Sequence, residues 1–252
     1  METVGSVNPS MNAFTPEVAV VAGVGPGLGA SLARKFAKEG CRVALLARSA
    51  DFLERLSTEL RHDGTEALAI PMDVSQTEQV ASAFERIRER LGPVDLLVNN
   101  ASASGPFGQS LVEITPESFA RGWEVGVLGS FLCSQAVVPE MLEKNAGCLL
   151  FTGATSSVRG GAITFSSAKF ALRGLAQALA RELWPQGIHV AHIVVDGVIR
   201  GHEFEPGDEE QAAEPLMNPA AIAEAYWALA RQDRSAWSLE LDLRPHLEKF
   251  FE

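Results

Sequence analysis

Apolar and polar residues alternate along this chain on two length scales. Short apolar runs of five or six residues are separated by longer segments in which apolar residues recur at helical spacing. This alternation is typical of βαβ units, in which helices cover both faces of a parallel sheet. The apolar runs predict seven strands, at residues 17–22, 42–47, 65–70, 94–98, 148–152, 188–194 and 238–243.

Helices are predicted in the segments between these strands, at about residues 28–38, 51–61, 76–91, 116–144, 165–183 and 219–231. Ser75 with Glu78 forms a capping-box pattern at the third helix, and Asn218 precedes Pro219 at the start of the last one. The order of elements predicts one Rossmann-like, doubly wound α/β domain over residues 16–252. Residues 1–15 are polar and are expected to form a loose N-terminal tail.

The segment 200–217 interrupts the regular pattern. It is rich in Glu, Gly and Pro and has little apolar periodicity. A connection of this length between a strand and a helix, at the carboxyl edge of a parallel sheet, more often covers a substrate than merely joins two elements. We therefore predict a substrate loop at about residues 200–217.

Composition narrows the class of protein further. A length of 252 residues suits one large domain, and a net charge of −11 disfavours nucleic acid and anionic membrane surfaces because it repels phosphate. No apolar run approaches the roughly 18 residues that span a bilayer, and the N-terminus lacks the pattern of a secretory signal. Cys41, Cys133 and Cys148 have neither disulfide nor metal-ligand spacing. These features predict a cytoplasmic protein without a metal that acts on a small molecule.

A glycine-rich turn follows the first predicted strand and opens the first predicted helix. It contains Gly23, Gly25, Gly27 and Gly29, with Leu28 between the last two glycines. Glycines allow a tight turn, and a helix N-terminus presents free N–H groups and partial positive charge to a pyrophosphate. In this context the turn predicts a dinucleotide site.

The end of the second predicted strand favours one dinucleotide over another. An NAD enzyme usually has a carboxylate there, about 20 residues beyond the glycines, that accepts the ribose 2′-hydroxyl. This chain has Arg48 instead, whose guanidinium can hold a 2′-phosphate. NADP(H) is therefore favoured over NAD, although Arg48 could also be a solvated charge and the glycine turn carries no second basic residue.

The spacing of the glycines, G-x-x-x-G-x-G, resembles that of the short-chain dehydrogenase/reductase family. Three further features match this family in register: Asp73 after the third strand, Asn99-Asn100-Ala101 after the fourth, and Lys169 early in the helix after the fifth. The resemblance covers about residues 18–243. It implies a seven-stranded parallel sheet flanked by helices.

The resemblance also implies roles for individual residues in the cofactor site. Asp73 and Val74 would contact the adenine, while Asn99 and Ala101 would border a ribose. Lys169 would donate hydrogen bonds to the nicotinamide ribose, a role that needs no tyrosine. The alternative for Lys169 is an ordinary solvated lysine on a helix.

Three of the family's four usual catalytic side chains are not found at their expected positions. Gly126 occupies the position of the asparagine, Ala154 that of the serine, and Phe165 that of the tyrosine four residues before Lys169. Phenylalanine cannot donate, accept or ionise. A glycine inside a helix costs roughly 1 kcal/mol relative to alanine, so close packing or room for a ligand must explain Gly126. The one tyrosine, Tyr226, is expected to pack in a late helix.

Other residues near these positions are candidate replacements. Thr152 or Thr155 could supply a hydroxyl, and a capping or loop-forming role is an equal alternative for them. The connection at 155–164 is about two residues shorter than is usual in the family.

The resemblance places Asp196 and Gly197 beside the nicotinamide amide, where the family commonly has a Pro-Gly pair. Asp196 is therefore a candidate proton donor or orienting group, or only a turn residue at a strand end. His189 and His192 lie in the sixth predicted strand and are expected to be hydrogen-bonded core residues.

Three functions are compatible with these features. The first, which we favour because the cofactor motifs and Lys169 are intact, is an NADP(H)-dependent oxidoreductase with an altered proton source. The second is a non-redox isomerase, lyase or cyclase on the same scaffold. The third is an NADP-binding sensor or partner subunit without catalysis. The resemblance further implies a homodimer or homotetramer, built on the helices that follow the fourth and fifth strands.

Overall fold

The computed structural model describes residues 14–103, 109–201 and 215–247. Their strands form one seven-stranded parallel sheet and a separate two-stranded pair. The strands are β1 Val18–Ala22, β2 Arg42–Ala47, β3 Ala67–Pro71, β4 Leu96–Asn99, β5 Gly147–Thr152, β6 Ile188–Val195, β7 Val198–Ile199, β8 Leu216–Met217 and β9 Glu240–Leu243. The large sheet and its parallel pairing confirm the predicted fold class.

The strand order of the large sheet is β3-β2-β1-β4-β5-β6-β9. The chain builds outward from β1 to β3, then returns to place β4 on the other side of β1. In a doubly wound sheet this reversal opens a crevice at the carboxyl ends of the two central strands, where ligands bind. The topology therefore directs attention to the loops that follow β1 and β4.

Helices cover both faces of the sheet. They are α1 Leu28–Lys38, α2 Ala50–His62, α3 Thr77–Leu91, α4 Pro116–Trp123, α5 Gly129–Lys144, α6 Ile163–Leu183 and α7 Pro219–Ala230. The predicted helix at 116–144 is thus divided, because a π-helical turn, Glu124–Leu128, joins α4 to α5. Gly126 lies in the middle of this turn, and π-helical turns within α-helices frequently mark functional sites.

Two apolar layers hold the helices against the sheet. Alternate residues of β1 illustrate the division, since Ala19 and Val21 pack with α1, α2 and α7 while Val18 and Val20 pack with α3, α5 and α6. All residues of β1, β5 and β6 are buried. Burial on both faces explains why these strands are almost continuously apolar in sequence.

Of the two helix N-termini predicted from capping patterns, the structure contradicts one and confirms the other. The capping box predicted from Ser75 and Glu78 is wrong, because α3 begins at Thr77 without a side-chain cap. Ser75 donates instead to the carboxylate of Asp73. The prediction for α7 is confirmed, since the side chain of Asn218 accepts a hydrogen bond from the backbone N–H of Ala220 at 2.9 Å.

The predicted substrate loop is described only at its two ends. There β7 pairs with β8, and the N–H of Arg200 donates to the carbonyl of Met217 at 2.9 Å. The two ends of the loop are therefore joined to each other beside the glycine turn, and the side chain of Ile199 would lie 4.0 Å from a Cβ on Gly27. Residues 202–214 and most of the predicted N-terminal tail lie outside the described residues.

The prediction that no apolar run could span a bilayer is wrong by length and composition alone, because one helical stretch of the described chain, Pro116–Lys144, meets both requirements. More than half of its most apolar window is buried within the fold. Burial of this kind is also what the core helix of a globular domain shows.

Candidate functional site

A cleft of about 450 Å³ opens at the carboxyl ends of β1, β2, β3 and β4. It is lined by most of the residues predicted to hold a cofactor, namely Gly23, Gly25, Gly27, Leu28, Gly29, Arg48, Asp73, Val74 and Ala101. The cleft lies where the strand order reverses, as expected for a ligand site in an open α/β sheet. Asn99, Lys169 and Gly197 do not line it.

Two glycines of the turn are required by close packing. Gly23 has φ +104°, and a Cβ on it would lie 2.5 Å from the Cα of Ala101. A Cβ on Gly29 would lie 2.6 Å from the carbonyl oxygen of Gly23. The side chain of Asn100 secures the same contact by donating to the carbonyl of Gly23 at 2.7 Å. The turn after β1 is therefore packed directly against the end of β4.

Gly25 differs from its neighbours in the turn. A Cβ on this residue would meet no atom within 4 Å, and the residue lines the cleft. The next helix, α1, begins at Leu28 with no side-chain cap on its free N–H groups and no acidic residue in its first turn. Open space beside uncapped N–H groups is the arrangement that binds a pyrophosphate, so these residues fit the nucleotide that the sequence predicts.

Arg48 lies at the end of β2, in the wall of the cleft. It is exposed, and it makes no ion pair or side-chain hydrogen bond with any residue that the structure describes. Its guanidinium is therefore available to an anionic ligand. No carboxylate follows β2 at the position where an NAD enzyme would hold the ribose hydroxyls.

Asp73 is bound into a network that bridges β3 and α4. One carboxylate oxygen accepts from the N–H of Ser75 at 3.0 Å and from its hydroxyl at 2.8 Å, and the other is ion-paired with Arg121. Burial alone would raise the pKa of this carboxyl, but the hydrogen bonds from Ser75 and the guanidinium of Arg121 hold the pKa below its usual value. Arg121 also donates to the Ser75 hydroxyl at 2.6 Å.

Arg121 is a cleft residue that sequence reasoning missed. It lies 48 positions from Asp73, in a helix where an arginine ordinarily reaches solvent. No local motif announces such a contact, because only the packing of α4 beside the end of β3 brings the two side chains together.

Asn99 does not line the cleft but connects two elements of the fold. Its side chain is buried and donates to the hydroxyl of Ser134 on α5 at 3.2 Å. This contact ties the end of β4 to α5.

Lys169 is not the solvated lysine considered as an alternative. It is buried on α6, its ammonium donates to the carbonyl of Thr152 at 2.7 Å, and its Nζ lies 5.4 Å from the centre of the Phe165 ring. Burial lowers the pKa of Lys169 to about 8. The structure thus brings Lys169, Phe165 and the end of β5 together, as the sequence spacing predicts.

The two candidate threonines have different environments. The hydroxyl of Thr152 accepts a hydrogen bond from Tyr226 at 2.9 Å within the core. Thr155 begins a short 3₁₀ turn, Thr155–Ser157, and its hydroxyl makes no hydrogen bond with a described residue. Thr155 is therefore the better placed of the two to offer a hydroxyl to a ligand. Tyr226 is fully buried, as expected of a packing residue, and burial raises its pKa.

Asp196 is buried at the end of β6 and forms an ion pair with Arg244, which also pairs with Asp242 at 2.8 Å. Because the carboxylate is engaged by a guanidinium, an orienting or structural role is favoured over proton donation. The adjacent Gly197 packs against the segment after β9, since a Cβ there would lie 2.9 Å from Pro245.

His192 explains why a glycine is present near the serine position. A Cβ on Gly153 would lie 2.5 Å from the Cε1 of His192 and closer still to its Nε2. The other ring nitrogen lies 3.1 Å from Glu240, which Arg173 holds through two hydrogen bonds of 2.7 Å. Nε2 has no partner among the described residues. Burial lowers the pKa of His192 to about 4, so the ring is neutral at pH 7.

The space around Gly126 differs from that around Gly153. A Cβ on it would lie 3.8 Å from the Cβ of Ala168, which is ordinary van der Waals contact. Close packing of the Cβ therefore does not explain this glycine. The residue is buried and does not line the cleft, so the described residues give no structural reason for a glycine at this position.

Comparison with known proteins is consistent with this architecture. Residues 17–202 match the family model described as short chain dehydrogenase. The chain belongs to the short-chain dehydrogenase family. It is 35% identical over 193 residues to a 3-ketodihydrosphingosine reductase of Bos taurus, an alignment that covers 73% of this chain but only 57% of that protein.

Solved structures resemble the chain over most of its length. A short-chain dehydrogenase from Rhodopseudomonas palustris is 34% identical, with a TM-score of 0.78, and the match covers 91% of this chain and 98% of the other. A metagenomic short-chain oxidoreductase in complex with NADP is 27% identical, with a TM-score of 0.77 and coverage of 92% and 98%.

Proposed function

We propose that this chain is an NADP(H)-binding oxidoreductase with a modified catalytic site. The observation that carries the proposal is the cleft at the switch point, where Gly25 leaves open space, α1 presents uncapped N–H groups and Arg48 offers an unpaired guanidinium. These features match the pyrophosphate and the 2′-phosphate of NADP. A structural neighbour in complex with NADP supports the same assignment.

The catalytic end of the site differs from the family pattern at three positions. Phe165 occupies the position of the tyrosine on α6, one turn before Lys169, and Ala154 and Gly126 replace the serine and the asparagine. A bound NADPH would supply a hydride. The proton must then come from a group other than a phenol, and the buried ammonium of Lys169 and the hydroxyl of Thr155 are the candidates in this chain.

A titration with NADPH and NADH tests the proposal. We expect NADPH to bind roughly tenfold more tightly than NADH at pH 7, the effect of about 1.4 kcal/mol from one additional charged contact. Because the pKa of Lys169 is about 8, its ammonium loses its charge as the pH rises from 7 to 9. NADPH affinity should therefore fall over this range in the natural protein.

The variant Lys169→Met serves as the control for the pH effect. It should bind NADPH more weakly at pH 7 and show a flat pH dependence between 7 and 9. Protein fluorescence or calorimetry would measure both quantities. Equal affinities for NADPH and NADH would contradict the cofactor assignment, whereas an unchanged pH profile in Lys169→Met would contradict only the role given to the lysine.

A second candidate is a protein that binds NADP without transferring hydride. It is favoured because two candidate catalytic groups are already bonded within the protein. The hydroxyl of Thr152 accepts a hydrogen bond from Tyr226, and the carboxylate of Asp196 is ion-paired with Arg244. Incubation of deuterium-labelled NADPH with a panel of ketones, imines and activated alkenes separates the two functions. Deuterium in a product supports the oxidoreductase, and turnover without any cofactor would point to an isomerase, lyase or cyclase.

We also propose that the chain forms a homodimer or homotetramer through α4, α5 and α6. Phe119, Trp123, Phe131 and Phe170 on these helices are exposed in the single chain. Exposed aromatic residues of this kind are buried at the contacts of oligomers. Sedimentation equilibrium should give at least a dimer for the natural protein and a monomer for Phe131→Glu with Phe170→Glu. A monomeric natural protein would contradict the proposal.

The compartment is proposed from the cysteines. All three, Cys41, Cys133 and Cys148, are buried and unpaired, and burial raises the pKa of each thiol. Unpaired cysteines are typical of a reducing cytoplasm.

A further inference from the structure

Arg121 connects two sides of the cofactor cleft. It projects from α4, lines the cleft together with Asp73 and Val125, and donates to the hydroxyl of Ser75 just beyond β3 at 2.6 Å. Its guanidinium also forms an ion pair with the carboxylate of Asp73. The two partners retain 34% and 22% side-chain exposure, so the pair lies in the wall of the cleft and is only partly screened by solvent.

The charges along this wall favour an anionic ligand only while the pair is intact. Asp73 is the one carboxylate among the described residues that line the cleft, and Arg48 and Arg121 are the two cations. Without Arg121, the carboxylate of Asp73 would repel a nucleotide that carries several phosphate charges. Glu124, 3.6 Å from Arg121, is about half exposed and does not line the cleft. It therefore weakens the neutralisation of Asp73 by Arg121 but does not cancel it.

The pair also fixes the direction of the Asp73 carboxylate. One oxygen accepts two hydrogen bonds from Ser75 and the other is held by Arg121. The side chain is therefore held in one orientation, with its negative charge directly beside the guanidinium of Arg121.

We propose that Arg121 is a positioning residue that determines cofactor specificity, because it neutralises Asp73 and so allows the adenine end of the cleft to accept a nucleotide with a 2′-phosphate. This inference rests on the proposed binding of NADP(H). It deepens that proposal by assigning part of the phosphate preference to a residue outside the glycine turn and outside β2.

The variant Arg121→Met tests the inference with three ligands that differ in charge. We expect the affinity for 2′,5′-ADP to fall on the order of tenfold, the affinity for 5′-AMP to fall less, and the affinity for adenosine to change by less than about twofold. Adding Asp73→Asn should restore most of the lost 2′,5′-ADP affinity, because it removes the repelling carboxylate. Isothermal titration calorimetry measures all of these affinities.

Two further variants serve as controls. Arg86→Met removes the same charge from an exposed position on α3, and it should leave all three affinities unchanged. Arg121→Lys keeps a cation at the site and should retain most of the 2′,5′-ADP affinity even if Arg121→Met fails to fold. Thermal unfolding of each variant confirms that it is folded before binding is measured.

The outcomes separate this inference from the proposal on which it rests. Unchanged 2′,5′-ADP binding in Arg121→Met, an equal loss for adenosine, or no recovery in the double variant would each overturn the role of Arg121 while leaving NADP(H) binding in place. If the natural protein binds neither NADPH nor 2′,5′-ADP, the proposed function itself fails.

Discussion

Replacement of Gly23 with alanine is expected to destabilise the protein by about 2–4 kcal/mol and to abolish NADPH binding. The residue has φ +104°, where a side chain is strained, and the new Cβ would lie 2.5 Å from the Cα of Ala101 and 2.7 Å from the carbonyl carbon of Asn100. These are backbone atoms and cannot rotate away. Relief therefore requires that the turn after β1 move away from the end of β4, which would displace the N-terminus of α1.

Gly25→Ala is the matched control for this prediction. The residue lies two positions further along the same turn, its φ is not in the left-handed region, and its Cβ would meet no atom within 4 Å. We expect the urea midpoint of Gly25→Ala to stay close to that of the natural protein, while NADPH affinity falls because the methyl group enters the cleft. Similar stability losses in both variants would show that the turn does not make the contact described.

Replacement of Gly153 with alanine should cost about 2–4 kcal/mol in the free energy of unfolding, and removal of His192 should reduce that cost. The new Cβ would overlap the imidazole edge, and the ring cannot retreat because Glu240 and Arg173 hold it in a buried position. His192→Ala alone should also destabilise, by about 2–4 kcal/mol, because it leaves a cavity and removes one hydrogen-bond partner of Glu240, which Arg173 continues to hold.

The double variant distinguishes a direct contact from two independent effects. When His192→Ala is present, the methyl group of Gly153→Ala occupies space that the ring has left, so we expect a coupling energy of at least about 1 kcal/mol from urea unfolding. Gly160→Ala provides the comparison, since a Cβ on Gly160 would meet no atom within 4 Å and should combine additively with His192→Ala. Additive effects at Gly153 would contradict the proposed contact.

The fold could be predicted from the sequence because its signals are local and repeated. Each predicted strand of the large sheet lies within two residues of the observed one at both ends, since strands buried on both faces give continuous apolar runs. The π-helical turn at Glu124–Leu128 was not predicted, because one additional residue in a turn hardly alters an apolar pattern. The wrong capping box at Ser75 shows the limit of local motifs, since Asp73 competes for the same side chain.

The candidate site was predictable only where its residues are close in sequence or at fixed family spacings. The glycine turn and Lys169 belong to this group. The partners of the remaining residues are distant: Arg244 lies 48 positions from Asp196, and Glu240 lies 48 positions from His192. Single-sequence patterns contain no record of such pairs. A side chain that a motif suggests as a proton donor can therefore prove to be ion-paired once the sheet is assembled.

The contact between Tyr226 and Thr152 gives the protein an internal optical probe. Tyr226 is the only tyrosine of the chain, it is fully buried, and it donates to the strand whose carbonyl holds Lys169. Because burial raises the pKa of this phenol, it remains protonated in alkali for as long as α7 stays packed on β5. Its ultraviolet absorbance can therefore report, without any label, when the packing of α7 on β5 beside Lys169 opens.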